Sequence, residues 1–378
     1  MGIYVHLPFC PYVCPYCDFA KWRFDEAASR RYLVALEAEI VAAPAFAAAT
    51  AYFGGGTPNA YPPADVARLA RLVRERFSLP AGAEFTVEAN PDRGLCAGFA
   101  AYRAAGITRI SFGVQSFDPA DLHKLGRRHD AADVGAAVDA ARTAGFDNIS
   151  IDLMFGVPGQ TVASWRRTLE AALATKPQHV STYGLTIEAG TPYEKWFARE
   201  PAAFAGEDQA ADMYAAAIDV LEGAGFEHYE ISNFALPGFR SRHNANYWEN
   251  GDYLGFGVGA ASYRGGVRRT ATRDLTAYAL AAAAGGPVPA DEERLEGRAR
   301  VGEAAMLALR TDRGVDVRAF AERYGIDFLE MFAPVIAEMR SLGLLDADGG
   351  RVVLTRRGRF LANEVCAAFI EPALGRSA

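Results

Sequence analysis

Cys10, Cys14 and Cys17 stand in the run Cys10-Pro11-Tyr12-Val13-Cys14-Pro15-Tyr16-Cys17, a C-x3-C-x2-C spacing. Three thiolates can hold three corners of a cubic iron–sulfur cluster and leave the fourth iron without a protein ligand, whereas most cluster proteins supply four cysteines. An open position on a metal is where a second molecule binds and chemistry starts. Two other readings compete. Zinc sites usually pair C-x2-C with a second such pair or with two histidines, and neither follows here. A structural disulfide needs an oxidising compartment, and the opening Met1-Gly2-Ile3-Tyr4-Val5-His6 does not read as a signal peptide. Cys96 and Cys366 are isolated and read as small packed hydrophobes.

The elements that must position this loop come from the rest of the chain. Strand-like and helix-like segments alternate over the first two-thirds: strands at Ile3–Phe9, Ala51–Phe53, Glu84–Ala89, Arg109–Val114, Asn148–Phe155 and His179–Ile187, with helices such as Glu26–Ala42, Pro63–Phe77, Ala131–Ala144, Val162–Ala174 and Asp208–Glu222 between and after them. Six βα steps imply parallel strands joined by right-handed crossovers. Six strands are too few for a closed eight-stranded barrel, so the expected fold is α/β, a partial (β/α)6 barrel. In parallel barrels the functional groups sit at the C-terminal strand ends, and the cysteine loop directly follows the first strand. The expected domains are residues 1–225 for the barrel, 226–290 for a connecting segment, and 291–378 for a small helical, winged-helix-like unit.

Composition narrows the class. The chain has 378 residues, a net charge of −7 and 51% hydrophobic residues. Half-hydrophobic composition supports a large core. The acidic balance argues against nucleic acid as a partner, so the C-terminal unit reads as a docking or lid domain rather than a DNA binder. No apolar run reaches membrane-span length. A cytoplasmic protein is expected, reaching a membrane only peripherally through a partner.

The cysteine motif, with Tyr16 just before the third cysteine, resembles the radical S-adenosylmethionine (SAM) superfamily. The resemblance implies a [4Fe-4S] cluster on Cys10, Cys14 and Cys17, with SAM chelating the open iron. It also implies an electron donor for the cluster. Gly54-Gly55-Gly56-Thr57-Pro58 closes the second strand, and in this superfamily such a segment meets the methionyl amine of SAM. Glu88, Gln115, Arg127 and Asp152 match by order and context the SAM-holding residues of the coproporphyrinogen III dehydrogenase-like family. With Tyr4, which sits on the first strand and is expected to line the same cavity, the SAM set is Tyr4, Tyr16, Gly55, Gly56, Thr57, Glu88, Gln115, Arg127 and Asp152. Arg127 is suited to pair with a carboxylate in bidentate fashion.

Two branches of that family differ in sequence. The oxygen-independent coproporphyrinogen III oxidase/dehydrogenase branch carries a further cysteine two residues after the third and a longer N-terminal extension. This chain has Phe19 at that position and opens on its first strand. The heme-chaperone branch carries an H-N-x-x-Y-W motif, here His243-Asn244-Ala245-Asn246-Tyr247-Trp248. This second resemblance implies a protein that holds heme as cargo and passes it to an acceptor apoprotein such as a membrane respiratory hemoprotein. His243, Asn244, Tyr247 and Trp248 become the heme candidates: an imidazole is a heme-iron ligand type, and two aromatic faces could cover a flat macrocycle. A structural loop is the competing reading of the motif, and oxidative decarboxylation the competing function. The residues leave open whether SAM is cleaved or only bound, and whether the protein is a homodimer.

Overall fold

The computed structural model describes residues 1–370; the last eight positions of the expected 291–378 unit lie outside them. The six expected strands form: β1 Gly2–Leu7, β2 Thr50–Gly55, β3 Glu84–Ala89, β4 Arg109–Gln115, β5 Ile149–Phe155 and β6 His179–Gly184. They pair in chain order and all in parallel. Helices α1 Glu26–Ala42, α2 Pro63–Arg76, α3 Phe99–Ala104, α4 Ala131–Thr143, α5 Val162–Ala174 and α6 Glu207–Gly223 cover the outer face. Local chemistry sets their starts. Asp25 caps α1, and capping boxes open α4 (Asp130/Asp133) and α5 (Thr161/Ser164), satisfying amides that a helix start leaves unpaired.

Residues 226–290 do more than connect. Strand β7 Glu227–Glu230 lies at the sheet edge, antiparallel to β8 Asn233–Ala235, which adds antiparallel to β6. Strand β9 Tyr253–Phe256 adds parallel to β1 on the other edge, and β10 Ala261–Arg264, β11 Val267–Ala271 and β12 Ala290–Arg294 extend it antiparallel. The result is one twelve-stranded sheet in the order β12-β11-β10-β9-β1-β2-β3-β4-β5-β6-β8-β7. Between its two outer parts runs α7, Arg242–Trp248, which holds the H-N-x-x-Y-W motif as a helix rather than a loop.

Strand alternation splits each barrel strand into two faces. Ile3, Val5, Phe53, Phe85, Val87, Ile110, Phe112, Ile151 and Val180 lie in the main hydrophobic core with the helices. The opposite face is polar: Thr50 and Tyr52, Glu84 and Glu88, Arg109 and Ser111, Ser150 and Asp152, His179 and Ser181. Parallel strands covered on both faces are usually apolar throughout. Here the second face lines an interior that a ligand can enter.

The C-terminal unit has its own core of Val301, Leu309, Phe328, Phe332, Val352, Val365 and Phe369. Helix α8, Leu275–Ala283, precedes it, and α9, Gly297–Leu309, opens it. Five short helices and a three-stranded sheet follow. Arg240 joins the unit to the barrel by bonding both oxygens of Asp312, at 3.0 and 2.7 Å, and Arg359 reaches His228 at 2.7 Å. Among the described residues no helix is long and apolar enough to cross a membrane.

Candidate functional site

A cavity of about 530 Å³ opens at the C-terminal ends of the barrel strands. All three motif cysteines line it, with Tyr16, Gly55, Gly56, Thr57, Glu88, Gln115, Arg127 and Asp152. Eight of the nine expected SAM residues therefore share one wall system with the cysteines. Tyr4 does not reach it. Its hydroxyl bonds His6 Nδ1 at 2.9 Å, its ring lies 6.1 Å from that of Tyr52, and it lines a separate small pocket of about 260 Å³ with Tyr247 and Tyr253. Tyr4 is thus a supporting residue behind Tyr52 and not a cavity wall.

The donor set fits a cluster. The cysteines are half-exposed, unpaired by disulfide, and held on one loop. Burial pushes the Cys10 thiol up to about 11 and raises that of Cys17, so bare thiolates are disfavoured and a cationic group must offset them. Arg127 Nη1 approaches Cys14 Sγ at 3.6 Å, while its other terminal nitrogen donates to Asn90 Oδ1 at 2.8 Å and to the Gly113 carbonyl. Among the described residues no three ligand side chains converge on a point for a single ion; a cluster spreads its corners further apart.

The glycine run is explained by crowding. A Cβ on Gly56 would stand 2.6 Å from the Pro8 carbonyl carbon, and one on Gly55, at φ +106°, would meet the His6 ring at 2.3 Å. The backbone amides of Gly56 and Thr57 donate to the Leu7 and Phe9 carbonyls at 2.9 and 3.1 Å, tying the run to the strand that launches the cysteine loop. Gln115 holds φ +68° at the end of β4, a conformation a side-chain-bearing residue adopts at some cost and one that clusters at functional sites.

Four acidic residues line the cavity, Asp18, Glu88, Asp152 and Glu188, and two of them, Glu88 and Asp152, stand on barrel strands. Glu88 accepts from Tyr52 at 2.6 Å and from the Gly55 amide at 3.1 Å; burial outweighs both donors and pushes its carboxyl up to about 7. Asp152 accepts from Ser111, Ser150 and Ser181, the closest at 2.7 Å. The serines, Tyr52, Asn90 and Arg109 were not singled out from sequence. The available signal was the run of polar residues at every second position of β3–β6.

The four motif residues on α7 do not converge on one surface. His243 is fully buried at the barrel floor. Its Nδ1 lies 2.9 Å from Thr50 Oγ1 and its Nε2 2.8 Å from Tyr247 Oη, and its ring stacks on Tyr52 at 5.2 Å. Both ring nitrogens are engaged, so the expectation of an open imidazole ligand is corrected. Asn244 faces up into the main cavity. Tyr247 lines the small pocket with Tyr4. Trp248 lines a separate groove of about 640 Å³ against the C-terminal unit, with Arg310 5.1 Å above its ring. The two aromatic faces therefore do not cover one macrocycle.

The comparisons with known proteins agree with this geometry. Residues 4–172 match the family model described as the Radical SAM superfamily, and residues 295–361 match the HemN C-terminal domain. The chain is 36% identical over 373 residues to the heme chaperone HemW of Bacillus subtilis, covering 97% of this chain and 98% of that one. It belongs to the HemW family. The HemW of Mycobacterium tuberculosis is 37% identical, with 96% of this chain and 93% of that one covered. Coproporphyrinogen III oxidase (HemN) from Escherichia coli, a radical SAM enzyme, superposes with a TM-score of 0.83 at 26% identity, over 97% of this chain and 89% of that one. HemW membership explains why barrel, floor helix and C-terminal unit travel together: the likeness spans all three.

Proposed function

We propose that this chain binds heme and hands it to an acceptor apoprotein, on a radical SAM scaffold whose cluster sits on Cys10, Cys14 and Cys17. The observation that carries this reading is the near-full-length identity to proteins named heme chaperones. The cavity mouth supports it: Phe19 and Val13 are exposed there, at 59% and 49%. Exposed apolar side chains beside a cavity suit a flat apolar ligand better than bulk water. Phe19 occupies the position at which the decarboxylase branch is expected to carry a fourth cysteine. A bound cluster would supply electrons to SAM; Arg127, Glu88 and Asp152 would hold SAM beside it.

The test is an anaerobic heme titration of cluster-reconstituted protein followed by gel filtration. Close to one heme retained per chain is the expected result. In His243→Ala the iron-ligation spectrum should stay unchanged, because the imidazole has no free nitrogen in the folded floor. A protein that elutes without heme and instead converts coproporphyrinogen III in the presence of SAM would overturn the reading.

SAM binding should also depend on pH. A carboxylate accepts from an ammonium or hydroxyl only when ionised, and Glu88 is neutral below about 7. Affinity should therefore rise with pH through 7 and level off above it, by up to about tenfold per pH unit below that value. Equilibrium dialysis of SAM across this range checks it. Glu88→Gln should flatten the profile, and a profile unchanged by that substitution would exclude Glu88.

A further inference from the structure

We propose that the inner end of the barrel cavity is a carboxylate-binding site centred on Arg109, separate from the cofactor residues at the rim. Arg109 opens β4 and Gln115 closes it, so the two mark opposite ends of the interior. Arg109 is 2% exposed, yet its side chain lines the cavity. Its Nε has no hydrogen-bond partner, and no ion pair involving it forms among the described residues. Thr86, its register partner on β3, also has a buried hydroxyl without a partner.

The carboxylates around it are already taken by other donors. Glu88 is held by Tyr52 and the Gly55 amide, and Asp152 by three serines. Glu84 accepts the Arg242 and His243 amides at 2.9 and 2.8 Å. A buried guanidinium left without a hydrogen-bonded anion is costly, and one lining a cavity offers a planar fork that matches a carboxylate. Charge selects the class further. Glu88 and Asp152 share the cavity with this one inner cation, so a single negative charge is accommodated better than the two of a sulfate or phosphate. Asn244 on the floor helix supplies a neutral amide to the same cavity. The fitting ligand is a small monocarboxylate, or a carboxylate arm small enough to pass the rim.

Saturation-transfer NMR with acetate tests the proposal on cluster-reconstituted full chain holding SAM, anaerobically at neutral pH. Saturable binding is expected, with a dissociation constant of about 0.1–10 mM, as the affinity ceiling per atom allows for so small a ligand. Arg109→Gln should weaken it at least about tenfold. Asn244→Asp, which brings a carboxylate into the same cavity while keeping Arg109, should also abolish it, and serves if the first variant does not fold. Non-saturable binding by the wild type, or acetate held equally well by either variant, would overturn the site. Acetate bound by the SAM-free protein but not by the SAM-loaded one would show Arg109 to belong to the rim site and overturn a separate inner site. Displacement by sulfate at matched ionic strength would overturn the carboxylate class.

Discussion

Cys14→Ala should give a folded chain that retains almost no iron. The loop carrying Cys14 lies outside the barrel sheet, and the side chain is half-exposed, so its removal leaves no buried cavity. Secondary structure by circular dichroism should match the wild type. The cluster, by contrast, would keep only Cys10 and Cys17. Substitution of residues that merely support a metal ligand costs about 10–100-fold in affinity; loss of one of three ligands should cost more than 100-fold. The visible iron–sulfur absorbance and the iron content after anaerobic reconstitution read this directly. Cys96→Ala is the matched control, since Cys96 lies outside the cavity with its thiol 3.9 Å from the Asp92 carbonyl. If Cys14→Ala held a stable cluster, or Cys96→Ala lost it, the assignment of the three ligands would fail.

That the cysteine loop was legible from sequence has a physical basis. Ligand spacing is local, and the βα alternation that lifts the loop to the rim is carried by hydrophobic period. Strand Glu84–Ala89 is found with the same bounds in sequence and structure, and the other five differ only by a few terminal residues. The outer strands were harder to read. β8 and β9–β11 are three to five residues long and sit among glycines, and the docking of β8 on β6 and of β9 on β1 rests on contacts distant in sequence. The motif on α7 shows the same limit. Its residue types suggest a ligand surface, but a seven-residue helix turns them in different directions, and only the packed floor decides that His243 points inward. Arg109 was hidden for a related reason: at the start of a strand it reads as a solvated charge, and only the polar second face of the sheet makes it an interior group.

Glu84→Ala should release the floor of the barrel. Glu84 is 7% exposed and receives the first amides of α7, from Arg242 and His243, with Ser241 Oγ at 3.5 Å. Hydrogen bonds to an ionised group contribute about 1.5–3 kcal/mol each, and removing the acceptor leaves buried N–H groups unpaired. The loss should total about 3–5 kcal/mol, concentrated in α7. β3 keeps its backbone pairing with β2 and β4, so the barrel should survive while the helix opens locally. Hydrogen exchange at the amides of residues 242–248 should accelerate by about 10²–10³-fold or more, with little change in β2–β5. Glu84→Gln retains one acceptor oxygen without charge and should fall between. His243→Ala loses the neutral hydrogen bonds to Thr50 and Tyr247 and the ring contacts with Tyr52 and Tyr247 but leaves Glu84 on the α7 amides, so exchange at those amides should accelerate less than in Glu84→Ala. The ordering distinguishes a motif held by the barrel from one that merely rests against it. If His243→Ala loosened α7 more than Glu84→Ala, the imidazole and not the carboxylate would be what locks the floor.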